Sequence, residues 1–318
     1  MINFDESDII KIIQSKLGNK KFVSEDVETF DFKKIKLVAK TDTLVESTDI
    51  PPKMRLGDAA RKSIVACVSD FASKGIRPKY GMISINLPKT ISNAKIKEIA
   101  TGFRNACQEY NILISGGDTN EGKEIVFNVC IFGNSNDNIV KRRGAKKGDA
   151  IFVTGPFGYT TVGLKIILGK YKGKGKFSKK ALKSVTRPNT RLEFGIKNKK
   201  YFSSSMDSSD GLSTTLNEMS KQSNKKFIIN HIPAANGLQI IAKSQKWNLI
   251  DLVFHGGEEY EFVFTVSQKD KQRIKKNAKL LKIPIIEIGH VTTGNGVFIH
   301  HENNNMICLK DLGWKHFR

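Results

Sequence analysis

The chain has 318 residues, with 53 Lys+Arg against 31 Asp+Glu, a formal net charge of +22 and 39% hydrophobic residues. That length allows two domains with a sizeable core, and the composition excludes an intrinsically disordered chain. No apolar run approaches the ~20 residues that cross a bilayer, and the acidic opening MINFDESDII lacks the basic-then-apolar order of a secretory signal.

The hydrophobic period switches repeatedly along the chain. Ser7 is placed to cap a first helix with Ile9, Ile10, Ile12, Ile13 and Leu17 on its apolar face. A strand at Ile35–Ala39 follows, then a helix over Gly57–Gly75 with Ala60, Ile64, Val65, Val68 and Ala72 at helical spacing. Strands are expected at Tyr80–Leu87, Ile112–Ser115 and Ile125–Phe132, with a helix from Ser92 to Tyr110. The polar run 133–138 reads as a domain junction. Beyond it the pattern predicts a strand at Ala150–Thr154, a helix from Tyr159 to Leu168 and a lysine- and glycine-rich loop over Lys170–Lys180. Helices then fit Leu192–Asn198, Gly211–Ser220, Asn236–Ser244 and Lys269–Leu281, and strands fit Lys226–Ile229, Glu261–Val266 and Pro284–Ile288. This order predicts an α+β protein with mixed sheets, in two domains covering 1–137 and 138–318.

The charge follows the same division. Residues 1–137 hold 20 Lys+Arg and 18 Asp+Glu, whereas 138–318 hold 33 and 13. A pI above 9 makes nucleic acid the first partner to weigh. The basic runs at 141–147 and 165–183 lack interleaved aromatics for base stacking, so they read as solvated surface, and no specific nucleic acid is expected. Cys67, Cys107, Cys130 and Cys308 form no CxxC pair and read as buried thiols in a reducing cytoplasm.

The chemistry concentrates in aspartates beside glycine or small polar residues. They are Asp26, Asp42, Asp70, Asp118, and Asp207 with Asp210 in MDSSDGL. Singly, each suits a cap or turn at a strand end or helix start. Together they offer the oxygen ligands of a hard cation bridging several phosphates. Gly116-Gly117 and Gly256-Gly257 would let backbone approach a phosphate. Gly155-Pro-Phe-Gly158 before a helix resembles a phosphate-binding turn, but without the P-loop lysine.

In order, TDTLVEST, VSDFASKGIRP, GGDTN, MDSSDGL, GGEEYEF and a terminal GW-x-HF resemble thiamine-monophosphate kinases, in the superfamily of aminoimidazole ribonucleotide synthetase-like ATP-using enzymes. Asp49-Ile-Pro-Pro is similar to the archaeal branch. The resemblance runs from Val23 to Phe317. It implies phosphorylation of thiamine monophosphate to thiamine diphosphate by ATP, with several Mg²⁺ ions and K⁺ support. It further implies a homodimer whose N-terminal sheets pair into a barrel. By position, it assigns metal binding to Asp26, Thr41, Asp42, Asp70, Asp118, Asp207 and Asp210, and makes Asp118 and Asp210 catalytic. Gly117, Asp118, Arg142 and Ser209 match ATP-contacting positions, and Asp49, Glu258 and Trp314 match substrate positions. The sequence departs from the family pattern at Ser24-Glu25-Asp26, at Lys40 and at Glu259.

Cysteine placement argues against other acceptors known in the same superfamily. Selenide chemistry would want an N-terminal Cys or selenocysteine, and no Cys precedes Cys67. A reactive C-terminal Cys, as in hydrogenase-maturation members, is poorly matched by Cys308, which ten residues follow.

Overall fold

A computed structural model of the chain describes residues 6–19, 22–300 and 305–315. The N-terminal part runs α1 (Glu6–Lys16), β1 (Glu28–Phe32), β2 (Ile35–Val45), α2 (Glu46–Asp49), α3 (Leu56–Lys74), β3 (Pro78–Leu87), α4 (Asn93–Tyr110), β4 (Leu113–Glu121) and β5 (Val126–Ser135). The remainder comprises β6 (Ala150–Val153), α5 (Tyr159–Ile167), α6 (Gly175–Thr186), α7 (Leu192–Asn198), β7 (Phe202–Asp207), α8 (Leu212–Ser223) and β8 (Lys226–Ile229). It continues with α9 (Leu238–Gln245), α10 (Leu249–Phe254), β9 (Phe262–Val266), α11 (Lys271–Leu281), β10 (Ile286–Thr292), β11 (Val297–His300) and β12 (Met306–Cys308).

Two mixed sheets result. The first is ordered β1-β2-β5-β3-β4, with only β3 and β4 parallel. The second is ordered β12-β11-β8-β10-β6-β9-β7, with only β8 and β11 parallel. Side chains alternate across each strand. In the second sheet this sends Ala150, Phe152, Phe262 and Phe264 to one core, and Ile151, Val153 and Val263 to another, so both faces are covered. In the first sheet Val38 and Leu44 are buried on one face. The other face exposes Phe30, Phe32, Ile35, Leu37, Tyr80, Met82 and Leu113.

Helix α3 lies between the sheets, packed against β2 and β5 on one side and β7 and β9 on the other. Its predicted apolar face, Ile64, Val65, Val68 and Ala72, enters the shared core. Its polar residues are buried as well, among them Arg61, Lys62, Ser69, Asp70, Ser73 and Lys74. The helix ends at Gly75, in the left-handed region at φ 63. There the amides of Gly75 and Ile76 return to Ala72 and Phe71, a glycine-terminated C-cap. A Cβ at Gly75 would lie 2.6 Å from the Gly195 carbonyl oxygen.

Several expectations change. Residues 175–180 are not loop but the first half of α6, which buries only Ser178, Ala181 and Val185 among its lysines. Strand β5 continues to Ser135, three residues into the predicted junction. Asp42 and Asp118 lie within β2 and β4, and Asp70 in the last turns of α3, not at strand ends or helix starts. Of the cysteines only Cys67 is buried; Cys107 and Cys130 are partly exposed and Cys308 is exposed. His316 and Phe317 of the terminal motif lie outside the described residues.

Candidate active site

The chain folds three distant segments onto one point. Asp26 precedes β1, Asp70 lies on α3 and Asp207 ends β7; one carboxylate oxygen from each lies within 4.8 Å of the others, and all three residues are buried. Burying like charges is costly unless they are paired, and the pairing is unequal. Asp26 is held on both oxygens: Arg142 Nε donates to Oδ1 at 2.5 Å, and Ser73 Oγ donates to Oδ2 at 2.8 Å. Lys74 Nζ also lies 2.9 Å from Oδ2. Burial works against ionisation of Asp26, but Lys74 and Arg142 outweigh it and hold the carboxyl far below the usual range.

Asp207 has weaker support, a hydrogen bond from Ser69 Oγ at 3.2 Å to its Oδ2. Burial first and the Asp26 charge second push Asp207 up to about 6. Burial and Asp207 likewise raise Asp70, against the opposing pull of Lys40 3.0 Å away. Two carboxylates with little support beside an anchored third form a hard-oxygen donor set, which fits a cation such as Mg²⁺.

A second group lies near the opposite end of α3. Lys62, 1% exposed, pairs with the Glu258 carboxylate and donates to the Asp49 carbonyl oxygen at 2.9 Å. Glu258 adopts φ 61, and its amide donates to the Ser209 carbonyl at 2.6 Å. The Trp314 amide donates to the Asp210 carbonyl at 2.8 Å. The loop carrying Ser209 and Asp210 is therefore clasped from two sides, and both clasps require glycine. A Cβ at Gly257 would lie 2.7 Å from the Ser209 carbonyl oxygen, and one at Gly313 would lie 2.3 Å from that of Asp210.

The family model for the AIR synthase related protein, N-terminal domain, matches residues 24–134. Over its whole length the chain is 64% identical to a thiamine-monophosphate kinase of Nitrosopumilus maritimus, covering 100% of both. The chain belongs to the thiamine-monophosphate kinase family. A Pyrococcus horikoshii thiamine-monophosphate kinase is 31% identical, across 100% of this chain and 98% of that protein. Among solved structures, AaThiL complexed with AMPPCP and TMP matches with a TM-score of 0.86 at 28% identity, over 98% of this chain and 97% of that one.

For a thiamine-monophosphate kinase the predicted residues divide in an informative way. Asp26, Asp70 and Asp207 come together. Asp42 shares the inner face of β2 with Lys40, and its charge acts on Lys40 and Asp70. Asp210 lies in the loop just beyond, close enough for its charge to act on Asp207. Thr41, between Lys40 and Asp42, faces the outer side of the sheet by strand alternation. Asp118 is on that outer side too, paired in register with Ser84 and hydrogen-bonded by Asn120 Nδ2 at 3.0 Å. Neither joins the buried trio within one chain. Arg142 is engaged by Asp26, and Trp314 is 56% exposed near Asp210.

The glycine readings also change. Gly116-Gly117 lie inside β4, and a Cβ at Gly117 would meet the Ile83 carbonyl oxygen at 1.8 Å, so strand pairing accounts for that glycine. At the start of α5, the Gly158 and Thr160 amides donate to Glu259 Oε1 at 2.6 and 3.2 Å. An internal carboxylate fills the place that a phosphate was expected to take. Sequence reasoning missed Lys62 and Lys74. Their signal was available: both are lysines within a helix whose other neighbours are predominantly apolar.

Proposed function

We propose that the chain transfers the γ-phosphoryl group of ATP to thiamine monophosphate, giving thiamine diphosphate. The observation that carries this reading is the buried trio Asp26, Asp70 and Asp207 in a chain of the thiamine-monophosphate kinase family. Transfer between two phosphates depends on alignment and charge neutralisation more than on covalent help. The acceptor oxygen is already anionic at neutral pH, so no side chain is needed to remove a proton. An in-line attack on the γ-phosphorus follows.

Asp26, Asp70 and Asp207, with Asp42 and Asp210 adjacent, would hold Mg²⁺, whose chemistry is to offset phosphate charge. The chain's own residues do the rest. Lys62 fixes Glu258 beside Asp49, and the clasped loop links Glu258, through Ser209, to Asp210, whose charge acts on Asp207. The exposed Trp314 ring suits a cationic thiazolium, which the face of an aromatic ring attracts.

The reading includes an N-terminal domain of residues 1–137, and a domain of 138–318 that completes the ATP and substrate site. It also includes a homodimer formed through the first sheet, closing into a barrel. The apolar outer face of that sheet supports the pairing, and pairing would bring a second copy against Asp118 and Gly117. With ATP as co-substrate, the expected setting is the cytoplasm.

The test is product analysis. Thiamine monophosphate and ATP should yield thiamine diphosphate and ADP with Mg²⁺ present, faster in K⁺ than in Na⁺, and no product without Mg²⁺. Release of inorganic phosphate alone would point to another acceptor within the superfamily.

A further inference from the structure

The carboxylate trio is accompanied by three cations from three separate elements: Lys40 on β2, Lys74 on α3 and Arg142 beyond β5. They are not equivalent. Lys74 has a side chain only 1% exposed, reaches Asp26 and donates to the Ser205 carbonyl at 2.7 Å. Arg142 is 13% exposed, held by Asp26 and by Ser24 Oγ at 3.2 Å. Lys40 is 25% exposed and meets Asp70 at 3.0 Å. Asp26 is thus saturated by fixed partners, whereas Asp70 is neutralised by the cation best placed to move into solvent.

We infer that Lys40 is a tethered counter-cation, filling the position at Asp70 that a divalent ion takes and exchanging with that ion when the site loads. The inference rests on the proposed assignment of the trio as the metal site. An ammonium 3.0 Å from an Asp70 oxygen competes with a metal ion for that carboxylate's charge and for the space beside it. The tether therefore weakens divalent binding in the resting protein and keeps its buried carboxylates from repelling one another. Lys40 acts here as a positioning residue, through Asp70.

The test is Mn²⁺ binding to the full chain without nucleotide or thiamine monophosphate, at one fixed pH, with free Mn²⁺ counted by electron paramagnetic resonance. Lys40→Met removes the ammonium and keeps an unbranched apolar stem. It should bind its first Mn²⁺ about tenfold tighter or more, the order expected on removing a cation from beside a ligand carboxylate. Its melting temperature should fall in EDTA and recover with Mn²⁺ by more than that of the wild type. Lys40→Arg, which keeps the charge, should retain the wild-type affinity. Equal Mn²⁺ affinity in Lys40→Met and wild type would overturn the inference, as would tighter binding in Lys40→Arg. Should Lys40→Met fail to fold, Lys40→Gln and the charge-balanced pair Lys40→Met with Asp70→Asn replace it; the pair should lose the added affinity. Because no acceptor is present, this result stands apart from the kinase assay. A failed assay with the Mn²⁺ shift intact would count against the function alone.

Discussion

The two faces of the five-stranded sheet solve opposite problems with the same strands. On β2, Lys40 and Asp42 point inward to a crowded set of charges, while Leu37 and Thr41 point outward to an uncovered surface. The inner face crowds carboxylates around Lys40, Lys74 and Arg142, which under the proposed function is where an added ion would sit. The outer face leaves apolar side chains exposed, which under the same proposal is where a second copy would sit. One strand alternation would then serve two partners of opposite chemistry.

The largest effect should come from the inner face. Asp207→Asn keeps the shape and an acceptor for Ser69 but removes a charge from the trio. Turnover should fall by about 10²–10³-fold, the scale of losing one preorganised electrostatic group. The melting temperature in EDTA at pH 8 should hold or rise, because Asp207 titrates near 6 and its ionised form is the costly one. Near-normal turnover would remove Asp207 from the site.

Asp118→Asn probes the outer face. In an isolated chain Asp118 is exposed and remote from the trio, so the change would be silent; in a paired assembly it should lower turnover by about tenfold or more. Mixing the Asp118→Asn and Asp207→Asn chains after subunit exchange should then restore up to about a quarter of wild-type activity, since half the dimers are mixed and each has one intact site. No recovery would mean that both side chains serve a site within a single copy.

The smallest expected effect contrasts this pair of faces with a carboxylate that needs no ion. Burial raises Glu259 to about 7 despite the Gly158 and Thr160 amides. A carboxyl whose folded pKa is raised stabilises the fold fully below its unfolded value, near 4.5, and loses that contribution as pH rises through about 7. Thermal melts of the wild type should therefore decline between pH 5 and 8. Glu259→Gln, which keeps an acceptor for both amides, should flatten that decline; parallel profiles would remove Glu259 as its source.

What was legible in the sequence follows from how local each signal is. Helix α3 announced itself through Ile64, Val65, Val68 and Ala72, and α4, expected from Ser92 to Tyr110, forms over Asn93–Tyr110. Strand β7 did not, because FSSSMD looks like a turn. Its serines are buried by partners distant in sequence: Ser204 bonds Thr265, and the Ser205 carbonyl takes Lys74. Strand β1 was hidden for the reverse reason, since all five residues are exposed and carry no burial pattern. The aspartates stood out as a set, and Arg142 and Lys40 stood out singly, but their pairing with Asp26 and Asp70 was not legible. An ion pair between separate elements leaves no trace of the partner in either segment.

Helix α3 also fixes a length. Lys62, which holds Glu258, and Asp70 are eight residues apart on it, or about 12 Å along the axis. The helix sets the distance between the Lys62–Glu258 pair at one end and the carboxylate trio at the other. Under the proposed function, an acceptor held at Glu258 and phosphorylated at the trio would have to span that distance. Selection by reach would then be built into a buried helix.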